Sequence, residues 1–285
     1  MWHIVLTALL SLGSASTANL DAVLANNQAW VTSKTNNDSA FFSNHYPSQS
    51  PKYLYIGCSD SRVPPNLLLG LDVGEVFVIR NIANVASASD KSTMAVIQYS
   101  VEVLKVTDIL VVGHYGCGGV KASLTVSDHG MLEFYLSRLR HLSRQHATEL
   151  NALSIIDEKT NRLVELNVDQ QVLNVAAMPF VQNAWAIGQT VRVHGLVYNM
   201  QNGLLINRNN TMYQLSQLPA SLAITSNLVN INTVISNNRA WVAAKTSNNS
   251  AYFSNLYPSQ SPKYLYIGCS DSRVPPNLLM GLEAG

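Results

Sequence analysis

Residues 53–62 read YLYIGCSDSR and residues 109–117 read ILVVGHYGC. Each is a short β-branched, aromatic and apolar run that reaches a glycine and then turns abruptly into residues able to bind a metal or move a proton. Runs of that length and composition predict buried strands at 53–57 and 109–112, with two more at 76–79 and 191–197. Between them, residues 94–104 place Val96, Ile97, Val101 and Leu104 on one helical face. Residues 131–150 and 168–185 also read as helices. This alternation predicts an α/β fold, a mostly parallel sheet with helices on both faces. Residues 204–206 follow the turn-like Gln201-Asn202-Gly203 and are expected to form an antiparallel edge strand. An amphipathic first helix is expected to run toward Ser33, capped by Asn19 or Asp21.

The chain has 285 residues, 47% of them hydrophobic, which is enough for one large domain with a buried core and an extension. Its formal net charge is +1 and only 12% of residues are charged. That balance provides no broad basic surface for a nucleic acid backbone.

In a parallel sheet, ligands gather beyond the carboxyl ends of strands. Cys58, Asp60 and Arg62 follow the first strand, and His114 and Cys117 follow the third. An isolated cysteine is ordinarily a small buried apolar residue, but here two strand exits would deliver two sulfurs and one imidazole to one place. Zinc accepts that donor set in tetrahedral geometry, and three protein ligands leave a fourth position for water or substrate. Asp60 is either the fourth ligand or an acceptor beside the metal. Arg62 favours the second reading, because a bidentate pair would keep the carboxylate ionised and turned away. His194, within a strand, is expected to be a satisfied core histidine. His45 is expected to pack at the surface, and His129, His141 and His146 to lie on a solvated face. Trp30 and Trp185 are expected to anchor helix packing.

The chain also repeats itself. Residues 29–71 recur as 240–282, with seven differences over 43 positions, so Cys269, Asp271 and Arg273 match Cys58, Asp60 and Arg62. No counterpart of His114 and Cys117 follows in the second copy. The expected organisation is a complete domain at 20–215, a linker at 216–230 and a truncated second repeat at 231–285. That repeat would include a helix at 231–245 and an apolar strand at 264–267. Residues 1–19 fit a cleavable secretory signal, with sequons at Asn37, Asn209 and Asn248; cytoplasm or an organelle is the alternative. The apolar run near the N-terminus is too short to span a bilayer.

Three segments together carry a specific resemblance: CSDSRVP at 58–64, GEVFVIRNIAN at 74–84 and GHYGCGGV at 113–120. With QTVRVHG at 189–195, they resemble the signature of β-class carbonic anhydrases over residues 22 to 210 or so. Pro65 departs from many relatives and would stiffen the start of the following helix. The resemblance implies zinc-dependent, reversible hydration of carbon dioxide to bicarbonate and a proton by zinc-bound hydroxide. It assigns zinc to Cys58, His114 and Cys117, and a switching dyad to Asp60 and Arg62. It also gives Gln49 and the Gly118 amide to substrate oxygen, and Phe77, Ile82 and Tyr99 to an apolar cleft. It implies a homodimer or higher homo-oligomer whose first helix packs on the partner, and the helix at 231–245 is expected to imitate that arm. Because two thiolates give the metal more negative charge than imidazoles do, activity is expected to rise into the alkaline range. The alternatives are a hydrolase of carbon disulfide or carbonyl sulfide, and a noncatalytic zinc or bicarbonate-binding module.

Overall fold

The computed structural model describes residues 20–213, 231–256 and seven positions between 267 and 278. The chain opens with helices α1 (Leu20–Asn37) and α2 (Phe41–His45), followed by β1 (Tyr53–Cys58), α3 (Pro65–Leu69) and β2 (Val76–Asn81). Next come α4 (Lys91–Glu102), β3 (Asp108–His114), α5 (Gly118–Ser123), α6 (Glu133–Gln145), α7 (Ala147–Asn151), α8 (Ile156–Ala176) and α9 (Pro179–Ala186). Strands β4 (Arg192–Asn199) and β5 (Leu204–Asn207) complete the sheet, and α10 (Ile231–Asn248) and α11 (Tyr252–Leu256) belong to the repeated segment.

The strands are ordered β2-β1-β3-β4-β5. All neighbours are parallel except β4 and β5, so the expected antiparallel edge strand is present. β1 and β3 are buried along their whole length, which accounts for their unbroken apolar sequences. The chain leaves β1 for β2 on one side and β3 on the other. The crevice beyond the ends of β1 and β3 is therefore a topological switch point, where parallel sheets take their ligands.

Two expected helices are divided. The segment at 131–150 becomes a 3-10 turn, α6 and α7, with a break at His146, whose φ and ψ are −107° and 26°. The segment at 168–185 ends as α8 at Ala176 and resumes as α9 at Pro179. Pro179 has no N–H to continue α8 and holds Met178 extended, with ψ at 136°. α4 begins earlier than expected because Asp90 caps it, accepting from the amides of Ser92 and Thr93. α1 extends past Ser33 to Asn37, and none of its residues is fully buried. Of the strand expected at 264–267, the first three residues lie outside the described residues; Ile267 is not in a strand and is 88% exposed. The signal expected at 1–19 and the linker also lie outside them. No helix among the described residues is long and apolar enough to cross a membrane.

His194 is buried, donating from Nε2 to Asp108 at 2.8 Å, with Nδ1 beside the Thr211 hydroxyl at 2.9 Å. Arg192 pairs with the same carboxylate, tying β3 to β4 at the end of the sheet opposite the switch point. The Trp185 indole N–H donates to the Val191 carbonyl and is buried.

Candidate metal centre

Cys58 is the last residue of β1 and His114 the last of β3, while Cys117 stands immediately before α5. The sheet thus brings together donors 56 and 59 residues apart. The metal-binding atoms of all three residues lie within 4.8 Å of one another and all three residues are buried. Cys58 Sγ and Cys117 Sγ are 3.9 Å apart, far beyond a disulfide bond. Two sulfurs held about 2.3 Å from one zinc at the tetrahedral angle would be about 3.8 Å apart, so the observed spacing fits that ion.

The imidazole is oriented for the same task. The Tyr115 carbonyl lies 3.1 Å from His114 Nδ1 and can only accept, so Nδ1 carries the hydrogen and Nε2 presents its lone pair. His114 Nε2 is buried without a hydrogen-bond partner. An orphaned buried nitrogen beside two sulfurs fits a metal, which would satisfy it. The Cys58 thiol is held well below its ordinary value, chiefly by the hydrogen bond from Cys117. That bond and burial push the Cys117 thiol up.

Asp60 and Arg62 lie in the turn after β1, both buried. Asp60 Oδ1 accepts from Arg62 Nε at 2.9 Å and from the Arg62 amide at 3.0 Å, and Oδ2 accepts from Nη2 at 2.6 Å. Burial alone would raise the Asp60 pKa, but the Arg62 hydrogen bonds and charge outweigh it and hold the carboxyl below the usual carboxylate range. Asp60 Oδ2 remains 3.9 Å from His114 Nε2, at the edge of the donor cluster but turned toward Arg62.

Arg80 was not singled out from the sequence. From β2 its Nε donates to the Cys58 carbonyl at 2.8 Å and its Nη2 to the Asp60 carbonyl at 2.6 Å, strapping down the turn. The available signal was a cation inside an otherwise apolar strand. After β2 the chain makes a tight turn in which Ala83 (φ 58°) and Asn84 (φ 48°) are both left-handed. Asn81 brackets this turn by bonding both backbone groups of Val85, while Asn167 and Gln171 of α8 bond Ala83 O and Ala86 N. The turn sets Ile82 against Gly119: a Cβ on Gly119 would lie 2.8 Å from Ile82 Cγ2.

The other expected substrate residues are more dispersed. A Cβ on Gly118 would meet nothing within 4 Å, so that position faces open space. Phe77 is buried, and its ring centroid lies 5.8 Å from that of Tyr99, which is 44% exposed. Gln49 is part-buried in the segment between α2 and β1.

Residues 53–205 match a family model described as carbonic anhydrase. The carbonic anhydrase of Emericella nidulans is 49% identical over 189 residues, covering 66% of this chain and 83% of the relative. That of Saccharomyces cerevisiae is 34% identical, covering 66% of this chain and 88% of the relative. Among solved structures, a Coccomyxa β-carbonic anhydrase in complex with acetazolamide superposes with a TM-score of 0.65 at 44% identity, covering 67% of this chain and 86% of that one. A tetrameric β-carbonic anhydrase from Sordaria macrospora also gives 0.65, at 35% identity over 68% of this chain and 98% of that one. Motifs, sheet order and donor geometry converge with these likenesses, and the chain belongs to the β-carbonic anhydrase family.

Proposed function

We propose that this protein is a zinc-dependent carbonic anhydrase that reversibly hydrates carbon dioxide to bicarbonate and a proton, with Cys58, His114 and Cys117 as its zinc ligands. The observation that carries this reading is the buried Cys58, His114 and Cys117 cluster with its orphaned His114 Nε2, next to an Asp60 that Arg62 turns aside. When bound there, zinc supplies the Lewis acidity that makes water a nucleophile near neutral pH.

The chain's own residues do the rest. Asp60 stays ionised against Arg62, accepts a proton-bearing oxygen in a hydrogen bond and aims its lone pair at substrate carbon. Arg62 turns Asp60 away from the three donors, so that Cys58, His114 and Cys117 would hold a zinc ion without the carboxylate as a further ligand. Phe77, Ile82 and Tyr99 form the apolar wall suited to a substrate without a net dipole, while Gln49 and the Gly118 amide donate to its oxygens. The catalytic unit is residues 20–215, and its opening segment 29–71 recurs at 240–282. The protein works as a homo-oligomer.

The test is stopped-flow carbon dioxide hydration by the full chain, with zinc content measured on the same sample. One zinc per chain and rapid hydration are expected. A chain that binds no zinc, or binds it without hydrating carbon dioxide, would overturn the proposal.

A further inference from the structure

Where α8 gives way to α9, these two helices, α6 and the loop at 87–88 enclose a cavity of about 570 Å³. That volume lies in the range of small-molecule sites. The cavity shares no residue with the Cys58, His114 and Cys117 cluster, with the Asp60–Arg62 pair or with the residues expected to bind carbon dioxide.

Its polar groups come from two helices. On α6, Arg138, His141 and Gln145 are spaced by three and four residues, which places them on one face, and all three line the cavity. Arg138 is fixed in position. Its Nε donates to the Ser87 hydroxyl at 3.0 Å, its Nη2 to the Ser89 hydroxyl and its Nη1 to the Phe134 carbonyl, while the guanidinium carbon lies 4.3 Å from the Phe134 ring centroid. Three of the five N–H groups of the guanidinium are thereby used, which leaves one on each Nη nitrogen for a further acceptor. His141 and Gln145 make no hydrogen bond among the described residues. On α8, Asn174 is held by bonds from Gln170 at 2.9 Å and to Gln171 at 2.8 Å, so this wall is ordered without a guest.

The charge balance selects the guest. Among the described residues that line the cavity none is acidic, and Arg138 carries a full positive charge, so an anion is favoured over a cation. Leu142, Met178 and Pro179 supply apolar lining, and Leu142 and Met178 are buried. A bare inorganic anion would leave that surface and most of the volume unused.

We infer that this cavity is a second binding site, for a small organic carboxylate with an apolar body. The carboxylate accepts the two remaining Nη hydrogens of Arg138 in a paired contact and is within reach of His141 and Gln145, while the body packs on Leu142, Met178 and Pro179.

The test uses the full chain with zinc added and 4-fluorobenzoate as the probe, followed by fluorine NMR. Saturable binding with a dissociation constant of about 1 mM or below is expected, which a ligand of this size can reach. Arg138→Gln removes the cation. Ser137→Phe fills the cavity from an exposed position on α6 and leaves Arg138 in place. Each should weaken binding at least about tenfold, the scale of a hydrogen bond to a charged group. The neutral 4-fluorobenzamide should bind the wild-type chain at least about tenfold more weakly than the carboxylate. No saturable binding, equal affinity in R138Q, or equal affinity of the amide would overturn the proposal. A carboxylate held by zinc at Cys58, His114 and Cys117 would be indifferent to both variants and would refute it in the same way. Should R138Q fail to fold by circular dichroism, S137F decides: loss of binding supports the site and full binding overturns it.

Discussion

The Arg80 guanidinium holds the Cys58 carbonyl at 2.8 Å across the β2–β1 pair, so a side chain outside the donor cluster sets the position of a donor's backbone. The same side chain bonds the Asp60 carbonyl. Hydrogen bonds made by a charged group contribute about 1.5–3 kcal/mol each. Arg80→Ala should therefore weaken zinc binding about 10- to 100-fold, the usual effect of losing a support behind a metal ligand. Competition with a chromophoric chelator measures it, and unchanged affinity would remove Arg80 from the site's support.

Asp60→Ala and Arg62→Ala should each retain zinc and lose carbon dioxide hydration by about 100-fold or more, the scale of a positioned proton acceptor. Parallel zinc analysis and stopped-flow assays separate the two effects. Full turnover in either variant would refute the dyad.

Removing zinc with a chelator should leave the sheet intact, because the walls of the site are fully buried strands rather than loops. The thermal midpoint should nevertheless fall, since a ligand that binds only the folded state at about 100 times its dissociation constant contributes about 2.7 kcal/mol. Far-ultraviolet dichroism with and without added zinc tests this. Loss of all secondary structure on chelation would contradict it.

Burial, reinforced by the negative charge of Asp108, pushes the Tyr53 phenol up to about 12. The unfolded value is 10.0, so the native state holds this proton more tightly across that interval. Its contribution is fully present below pH 10 and is lost as pH rises through about 12. Tyr53→Phe should flatten the alkaline fall in stability and remove one late step from the tyrosinate absorbance titration. An unaltered titration curve would disprove the assignment.

Much of the fold, and the meeting of Cys58, His114 and Cys117, can be read from the sequence because both follow from local pattern. Strands buried on two faces must be nearly all apolar, so Cys58, Asp60 and His114 stand out where β1 and β3 end. The helix breaks were harder to read: His146 interrupts α6 and α7 without a proline or glycine, and Pro179 restarts a helix rather than merely ending one. Arg80 lies inside the 74–84 motif, but its role depends on which strand lies beside β2 and is not legible from the motif alone. The different burial of Val23 and Val234 could not be read from local sequence at all, since the two are the same residue in matching helices and tertiary context alone separates them.

The left-handed pair Ala83 and Asn84 has a further consequence for how the enzyme meets a very small molecule. Such a conformation disfavours a non-glycine residue by roughly 1–2 kcal/mol, and here that cost is met once, during folding, by the amides of Asn81, Asn167 and Gln171. Ile82 is consequently already stationary when a visitor arrives. A three-atom guest has too few contacts to freeze a moving wall, so in the proposed cleft this turn would supply the rigidity beforehand.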